Sequence, residues 1–222
     1  MNGFRSLPLV LAAFALAGCP SISTMATART IPEGTYQYAV TAGYSVLSEA
    51  VVNDEGRPEG VTAPGLELGV RYGLTDRIEL GGRIFPVGAE AGAKLQVLRA
   101  PTTDRGLDLA VAPSLSVYPW SKGFAGWGNL SIPIGFNVGG NQLVIAPRGT
   151  AFLITSEEGT GKAFLGGGSM AFAVRVAGGR YTVLPEVAVL LPFSRSLPTD
   201  VEAQYALEGP LFQGSIGVLF GP

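Results

Sequence analysis

The stretch GLELGVRYGLTDRIELGGRIFP, residues 65–86, decides the fold because charged and aliphatic residues alternate along it. Apart from Asp76, the charged residues stand only at odd-numbered positions, 67, 71, 77, 79 and 83, and most even-numbered positions are Leu, Val, Tyr or Ile. A period of two is the signature of a β-strand, since successive strand side chains point to opposite faces. Asp76 supplies the turn residue. The stretch therefore predicts a β-hairpin with one charged face and one aliphatic face.

The same alternation recurs from Thr35 to the end of the chain. It predicts ten strands, at about residues 35–46, 64–74, 77–86, 88–98, 107–118, 127–138, 142–153, 163–176, 181–191 and 211–220. All charged residues within these strands lie on the face opposite the aliphatic residues: Glu67, Arg71, Arg77, Glu79, Arg83, Glu90, Lys94, Asp108, Arg148, Arg175 and Glu186. Four prolines also lie inside the strands, at 113, 133, 147 and 185. Bulges, bends or strand ends are expected there, because proline removes a ladder donor.

Composition indicates which face is turned inward. Charged residues make up only 14% of the chain, hydrophobic residues 47%, and the mean hydropathy is +0.34, which is apolar for a protein surrounded by water. The polar face is rich in Gly and Ala, which suit a confined interior, and its charges nearly balance. We therefore predict that the aliphatic face meets lipid and that the charged residues form a network in the lumen. A soluble lipocalin-like barrel with an aliphatic core is the alternative.

The N-terminus reads as a secretory signal, with Arg5 before an apolar core at residues 7–16. Its end, LAGC at residues 16–19, resembles the bacterial lipoprotein signal motif, in which the chain is cleaved before the cysteine and the cysteine is lipidated. The resemblance implies a signal peptide at residues 1–18 and a covalent lipid on Cys19, the sole cysteine. Residues 19–33, small and polar, are interpreted as a tether, and residues 34–222 as the barrel.

Connections and aromatic residues follow the pattern of outer-membrane barrels. Short turns alternate with longer segments, above all 47–62 and 192–210, which are expected as outer loops. Aromatic residues are expected as lipid-facing girdles, with Trp127 among those at the outer end. The final strand, ending in Phe220, partly resembles the C-terminal signal of bacterial barrels. About 190 residues thus resemble the small outer-membrane β-barrel class, which implies an all-β, antiparallel, up-and-down transmembrane barrel in the outer membrane of a Gram-negative cell.

Motifs for chemistry are weak. GTGK at residues 159–162 lacks the earlier glycine and the final Ser or Thr of a phosphate-binding loop. GGSMA around Ser169 lacks the last glycine of a nucleophile elbow. The chain has no histidine, which removes Ser–His catalysis and the usual transition-metal ligands. We predict no catalytic residues, no metal and no cofactor, and the net charge of −2 argues against a nucleic-acid partner.

These observations favour a lipidated outer-membrane barrel without enzymatic activity. Its predicted partners are outer-membrane lipid, the lipid on Cys19 and proteins of the cell envelope, so that its role is structural or one of interaction. Side chains can fill the lumen of an eight-stranded barrel, and the lumen of a ten-stranded barrel is only slightly wider. A narrow pore for small polar solutes is one alternative. A soluble periplasmic lipoprotein that binds an apolar ligand is the other.

Overall fold

The computed structural model describes residues 21–52, 58–86, 88–120, 123–156, 159–198 and 209–222. The strands are β1 Tyr36–Val52, β2 Pro58–Thr75, β3 Ile78–Phe85, β4 Gly88–Leu98, β5 Arg105–Trp120, β6 Gly123–Ser131, β7 Ile134–Val138, β8 Asn141–Ser156, β9 Gly159–Val176, β10 Tyr181–Ser196 and β11 Leu211–Phe220. A 3-10 turn, Ala177–Gly179, joins β9 to β10. None of the described residues belongs to a helix long and apolar enough to cross a membrane.

Every strand pair is antiparallel, and the sheet closes on itself. β1 pairs with β2 and with β11, and the pairing of β4 with β5 completes the ring. β6 and β7 both pair with β5 and with β8, so they are two parts of one wall strand. The barrel therefore has ten wall strands, and the predicted antiparallel up-and-down barrel is confirmed. We call the end with the four short turns and both termini of the barrel the turn end, and the opposite end the loop end.

Aliphatic side chains cover the outside of the barrel. Leu66, Leu115 and Ile216 are 55%, 69% and 58% exposed, and similar residues surround the whole wall. Aromatic rings pair on this surface at the turn end, with Tyr36 against Tyr72 at 4.8 Å between centroids. A continuous apolar exterior around a polar interior is the arrangement of transmembrane barrels and the reverse of a soluble lipocalin-like barrel.

Proline affects the strands less than expected. Only Pro133 ends one, where β6 stops at Ser131 and β7 begins at Ile134. Beside Pro113 and Pro185 one ladder has a gap, yet the register on either side is the same. Pairing continues unshifted through Pro147 as well. A missing N–H thus removes a hydrogen bond without inserting a residue, and the expected bulges or bends at these three prolines are not found.

The strands at the loop end are longer than predicted. The segment 47–62, expected as an outer loop, is largely strand, because β1 runs to Val52 and β2 starts at Pro58. The expected loop 192–210 likewise begins within β10, which ends at Ser196. Their hydrophobic pattern fades there, but antiparallel pairing between neighbours continues. These hairpins therefore extend the wall beyond the length that crosses a bilayer.

Residues 21–32, within the predicted tether, lie inside the barrel. We call them the lumen segment. From the start of β1 the segment turns back at the turn end, where the Gly34 N–H donates to the Gly73 carbonyl at 2.8 Å. It then runs up the interior without regular secondary structure. Its far end, Ser21, lies with its Oγ 3.3 Å from Arg83 Nη1. The structure thus assigns this segment to the barrel interior.

Candidate functional site: an occupied lumen

Nine of the eleven predicted lumen charges face the barrel interior, all except Arg77 and Arg175. The nine are Glu67, Arg71, Glu79, Arg83, Glu90, Lys94, Asp108, Arg148 and Glu186. Arg77 and Arg175 are exposed at the turn end. Their prediction as lumen residues is wrong because each lies beside a connection, where an inward position already reaches water. Cys19, the predicted lipidation site, lies outside the described residues.

Arg83 on β3 joins two acidic residues from neighbouring strands. Its Nη1 lies 2.9 Å from Glu67 Oε2, and its Nε and Nη2 lie 3.0 and 3.1 Å from the two oxygens of Glu90. The register places Glu90 directly opposite Arg83. Ser116 also donates to Glu90, at 2.8 Å. Buried charges are costly unless they are paired and hydrogen-bonded, and this cluster meets both conditions.

A second cluster links the wall to the lumen segment. Lys94 Nζ on β4 lies 3.0 Å from Glu79 Oε2 on β3, and Arg71 Nε lies 3.6 Å from the other oxygen. Lys94 also donates to the carbonyls of Thr27 and Arg29, at 3.1 and 3.0 Å. All three protons of the ammonium group therefore have an acceptor, and two of these acceptors are main-chain oxygens of the lumen segment.

Main-chain N–H groups of the lumen segment donate to side chains of the wall. Seven such bonds form, at 2.7–3.2 Å: Ile22 and Ser23 to Gln213, Thr24 and Met25 to Glu186, Ala28 to Gln142, Thr30 to Gln96, and Ile31 to Glu79. The acceptors come from five strands, β3, β4, β8, β10 and β11. A buried N–H without a partner is costly. The wall therefore supplies the acceptors that a neighbouring strand would provide in a sheet.

Three of these acceptors are amides that acidic side chains of the wall orient. The Nε2 atoms of Gln142 and Gln96 donate to Asp108 at 2.9 and 3.0 Å, and that of Gln213 donates to Glu67 at 3.3 Å. An amide nitrogen only donates and an amide oxygen only accepts. With the nitrogen held by an acid, the oxygen is left to face the lumen segment.

Asp108 is the most connected of the buried acids. It is fully buried on β5 and accepts six hydrogen bonds, from Arg29 Nε, Arg29 Nη2, Gln96, Ala100 N, Asn137 and Gln142. Arg29 also donates to the carbonyls of Ala100 and Thr102, at 2.8 and 3.0 Å. One carboxylate thus ties together four wall residues and the lumen segment near the turn end.

Inward-facing glycines make room for the lumen segment. A Cβ at Gly135 would lie 2.7 Å from the Cβ of Ala28, and one at Gly217 would lie 2.9 Å from the sulfur of Met25. Thr41 donates to the same sulfur at 3.0 Å. Real Cβ atoms do not approach other atoms so closely. Glycine at these two wall positions therefore matches the bulk of the segment at the same height.

Apolar side chains close the lumen toward the loop end. The layer consists of Ile22, Phe85, Tyr118, Ala125, Trp127, Phe152, Ile154, Ala163, Leu165, Ala188, Leu190 and Leu211. The ring centroids of Trp127 and Phe152 are 4.8 Å apart. Trp127 was predicted in a lipid-facing girdle, and that prediction is wrong, since its side chain is 5% exposed and points inward. Trp127 and Asn129 are two residues apart on β6 and therefore face the same side, so the inward position of Asn129 predicts an inward Trp127.

Little free space remains between these layers. A cavity of about 110 Å³ lies beside the lumen segment, and its lining includes Glu67, Arg71, Arg83 and Arg148. Arg148 donates to the Ile22 carbonyl at 2.8 Å and to Asn129 at 3.2 Å. Within the described part of the chain, no group of three or more His, Cys, Asp or Glu residues is placed to hold a metal ion. The arrangement holds a polypeptide segment and a small polar cavity.

The uncharged amides of the lumen were missed as site residues. Gln96, Gln142 and Gln213 contact the lumen segment, and Asn129 and Asn137 support the charged residues beside it. All five occupy the polar positions of the alternation. The available signal was the presence of amide side chains on an otherwise Gly- and Ala-rich face, because an amide buried in a lumen needs a hydrogen-bond partner.

An apolar exterior, a charged interior and a closed antiparallel wall define a transmembrane-type β-barrel whose lumen is occupied by its own chain. No protein-family model and no curated protein matches the sequence. Among solved structures, outer membrane protease OmpT from Escherichia coli is similar, with 12% identity over 89% of this chain and 99% of that one, and a TM-score of 0.46. An outer membrane channel from Pseudomonas putida has 10% identity, coverage of 90% and 99%, and a TM-score of 0.47. Neisserial surface protein A has 10% identity, coverage of 83% and 95%, and a TM-score of 0.32. All three likenesses are too distant to carry an argument about activity, ligand or partner.

Proposed function

We propose that this protein is a lipidated β-barrel of the Gram-negative outer membrane with a structural or interaction role in the cell envelope and no enzymatic activity. The observation that carries the proposal is the occupied lumen. Residues 21–32 fill its length from the turn end to Arg83, and the apolar layer lies above them. A general porin needs an aqueous channel through the barrel. The exterior and the loop end are therefore the surfaces left for function.

Membrane location is supported by the apolar exterior, and lipidation by the motif LAGC. A wall of exposed Leu, Ile, Val and Phe has no favourable contact with water but is stable in hydrocarbon. Cys19 follows the apolar signal core directly, as the lipoprotein motif requires. Incorporation of labelled palmitate tests this part of the proposal. We expect label in the wild-type protein and none in Cys19→Ser.

An interaction role is supported by the tall hairpins at the loop end. A transmembrane β-strand needs about 9–11 residues, whereas β1 and β2 have 17 and 18 and β8 and β9 have 16 and 18. The neighbouring β3 has only 8. The wall is therefore uneven at this end, since the β1–β2 and β8–β9 hairpins form projections whereas β3, next to β2, stops lower. Such projections present backbone and side chains to envelope partners.

The absence of enzymatic activity is supported by the state of the buried acids. Glu67, Glu79 and Glu90 are each held by a cation, and Asp108 and Glu186 by the lumen segment. With these groups engaged and no histidine in the chain, a general base with access to a substrate is not available in the lumen.

Conductance in planar bilayers tests the closed barrel directly. The purified protein, shown to be folded by its heat-modifiable migration on detergent gels, is expected to insert without producing sustained current steps. A stable conductance from the wild-type protein would overturn the closed-barrel proposal and favour the narrow pore. For location, a variant carrying Cys19→Ser behind a non-lipoprotein signal peptide should still require detergent for extraction. Its release without detergent would contradict the membrane barrel and favour a soluble lipoprotein.

A further inference from the structure

We propose that the lumen is a binding site for an extended polypeptide, which residues 21–31 fill in this chain and which a segment of another polypeptide can fill in their place. The proposal goes beyond the closed-barrel role, because it assigns a ligand class to the interior itself. The ligand is an extended run of small residues with hydroxyl groups near one end and an arginine near the other. Its source is the same segment of a second copy of this chain, because residues 21–31 are the sequence that these wall groups fit.

Recognition of the main chain is the first argument. Seven N–H groups of the segment donate to wall side chains, and the carbonyls of Ile22, Thr27 and Arg29 accept from Arg148 and Lys94. Contacts to the main chain are available to any polypeptide. A site that forms hydrogen bonds to main-chain N–H and C=O groups over eleven residues can thus accept many sequences. Selectivity among these sequences comes from a few side-chain positions.

Orientation of the wall groups is the second argument. Gln142 and Gln96 donate to Asp108, and Gln213 donates to Glu67, so each of these bonds joins two wall side chains. Asp108 also accepts from Arg29 of the segment, but the Ala100 N–H and Asn137 hold it from the wall side. Acceptors fixed in advance lose little freedom when a ligand arrives, which favours binding. Glu186 differs, since within the described part of the chain it accepts from the segment alone, through Ser23 Oγ, Thr24 N, Thr24 Oγ1 and Met25 N at 2.6–3.1 Å.

Side-chain requirements define the ligand more narrowly. Position 28 must be small, because Ala28 is fully buried against Gly135. Position 29 must be arginine, because its guanidinium reaches both oxygens of Asp108 and two carbonyls. At position 25 the chain bends, with φ at 45° for Met25. Sequences rich in Ser, Thr and Ala with one arginine satisfy these conditions.

Access is the third argument. Among the described residues, the chain passes from the segment to the wall through residues 33–35 at the turn end, where Glu33 and Gly34 are exposed. The cavity of about 110 Å³ lies beside the segment, and Ser131 is one of the residues that line it. Within the described part of the chain, the buried Ser131 Oγ has no hydrogen-bond partner. A ligand therefore enters from the turn end, since the apolar layer lies toward the loop end.

Exchange in a cleaved protein tests the proposal. A protease site placed between Glu33 and Gly34 allows the mature, folded barrel in detergent to be cut after purification, so that the segment remains bound only by its contacts. A fluorescent peptide with the sequence of residues 21–31, SISTMATARTI, is then added and its anisotropy followed. The control peptides are a scrambled sequence and the same sequence with Arg29→Ala.

Saturable binding of the peptide to the cleaved barrel, with release of the original segment, is the expected result. The Arg29→Ala peptide should bind about 10- to 100-fold more weakly, as for loss of hydrogen bonds to a charged group. The uncleaved barrel should bind the peptide far more weakly than the cleaved barrel, since its own segment competes at high effective concentration. Binding of the scrambled peptide with equal affinity, or no binding to the cleaved barrel, would overturn the proposal. Either outcome leaves the bilayer conductance unaffected, so the closed-barrel role is tested separately.

Discussion

Arg29 Nε lies 3.2 Å from Asp108 Oδ2, so a residue that precedes the barrel in sequence forms an ion pair with the inner face of its wall near the turn end. Asp108 is fully buried, and the side chain of Arg29 is 15% exposed. The same carboxylate orients Gln96 and Gln142, whose oxygens accept N–H groups of the lumen segment. Occupancy of the lumen and order in the wall are therefore coupled through one side chain.

Replacement of Asp108 by Ala should destabilise the barrel strongly. It leaves Arg29 without its ion-pair partner and several buried donors without an acceptor, which costs about 3–5 kcal/mol for a broken buried pair. The measurement is the unfolding midpoint in denaturant, read from heat-modifiable migration on a detergent gel. Asp104→Ala is the matched control, because Asp104 is exposed at the same end of β5, and a comparable loss in this control would contradict the role of burial.

Replacement of Gly135 by Val should displace the lumen segment. The added carbons would meet Ala28 and Gln142, and overpacking of this kind costs about 1–3 kcal/mol, or roughly 5- to 150-fold in the population of an open state. Trypsin cleavage after Arg29, followed by mass spectrometry, should accelerate accordingly. Gly149→Val is the control, since a Cβ there meets no atom within 4 Å. Equal cleavage rates in the two variants would show that the segment is not seated against Gly135.

Removal of Arg83 should cost far more than removal of Arg77. Arg83→Ala leaves Glu67 and Glu90 buried without their cation, which predicts a loss of about 3–5 kcal/mol. Arg77→Ala removes an exposed side chain beside a turn and should change stability by about 0.5 kcal/mol or less. Denaturant midpoints of the two variants compare them directly. Similar losses would mean that the sequence pattern, which treated both arginines alike, describes the lumen better than the structure does.

The proposed lipid on Cys19 cannot lie in the leaflet at the turn end while Ser21 of the lumen segment contacts Arg83, because the two positions are too far apart. Ser21 contacts Arg83, which lies five residues along β3 from Ile78 at the turn end. Five residues span about 16 Å along the strand, which is about 12 Å along the barrel axis at a strand tilt of about 40°. Two residues of chain span at most about 7 Å. The lipidated protein should therefore be cleaved by trypsin after Arg29 faster than a lipid-free variant. Equal protection of both forms would place the lipid at the loop end instead.

Much of the wall could be predicted from alternation alone, for a physical reason. Each inward position differs from its neighbours in both charge and size, so a strand has only one register that buries its charges. Arg83 and Glu90 fall on the same face for this reason and are directly paired in the structure. All eleven charges were predicted to face the lumen on that basis; nine do so, and the two exceptions, Arg77 and Arg175, lie where the wall ends.

The occupant of the lumen could not be predicted in the same way. Polar and apolar residues do not alternate with a period of two in residues 21–32, because the wall surrounds this segment on all sides. The side chains of a wall strand, in contrast, alternate between the outside of the barrel and the lumen. Their binding depends on main-chain groups, which every sequence possesses, and on amides such as Gln142 that carry no charge. The apolar layer was missed because Trp127 was assigned to the lipid face by residue type, although both Trp127 and Phe152 lie two residues from inward polar residues of the same strand.

The most direct test of the occupied lumen is a disulfide between the segment and the wall. Thr24 Oγ1 lies 3.2 Å from Ser169 Oγ, so cysteines at these two positions are placed to join with little movement. In outer membranes, mass spectrometry of Thr24→Cys with Ser169→Cys, both in the lipid-free Cys19→Ser variant behind a non-lipoprotein signal peptide, should find the two residues linked. Thr24→Cys with Met170→Cys, whose second cysteine faces outward on the next residue of β9, should not link. Absence of the 24–169 disulfide, with both thiols free to label, would contradict the occupied lumen.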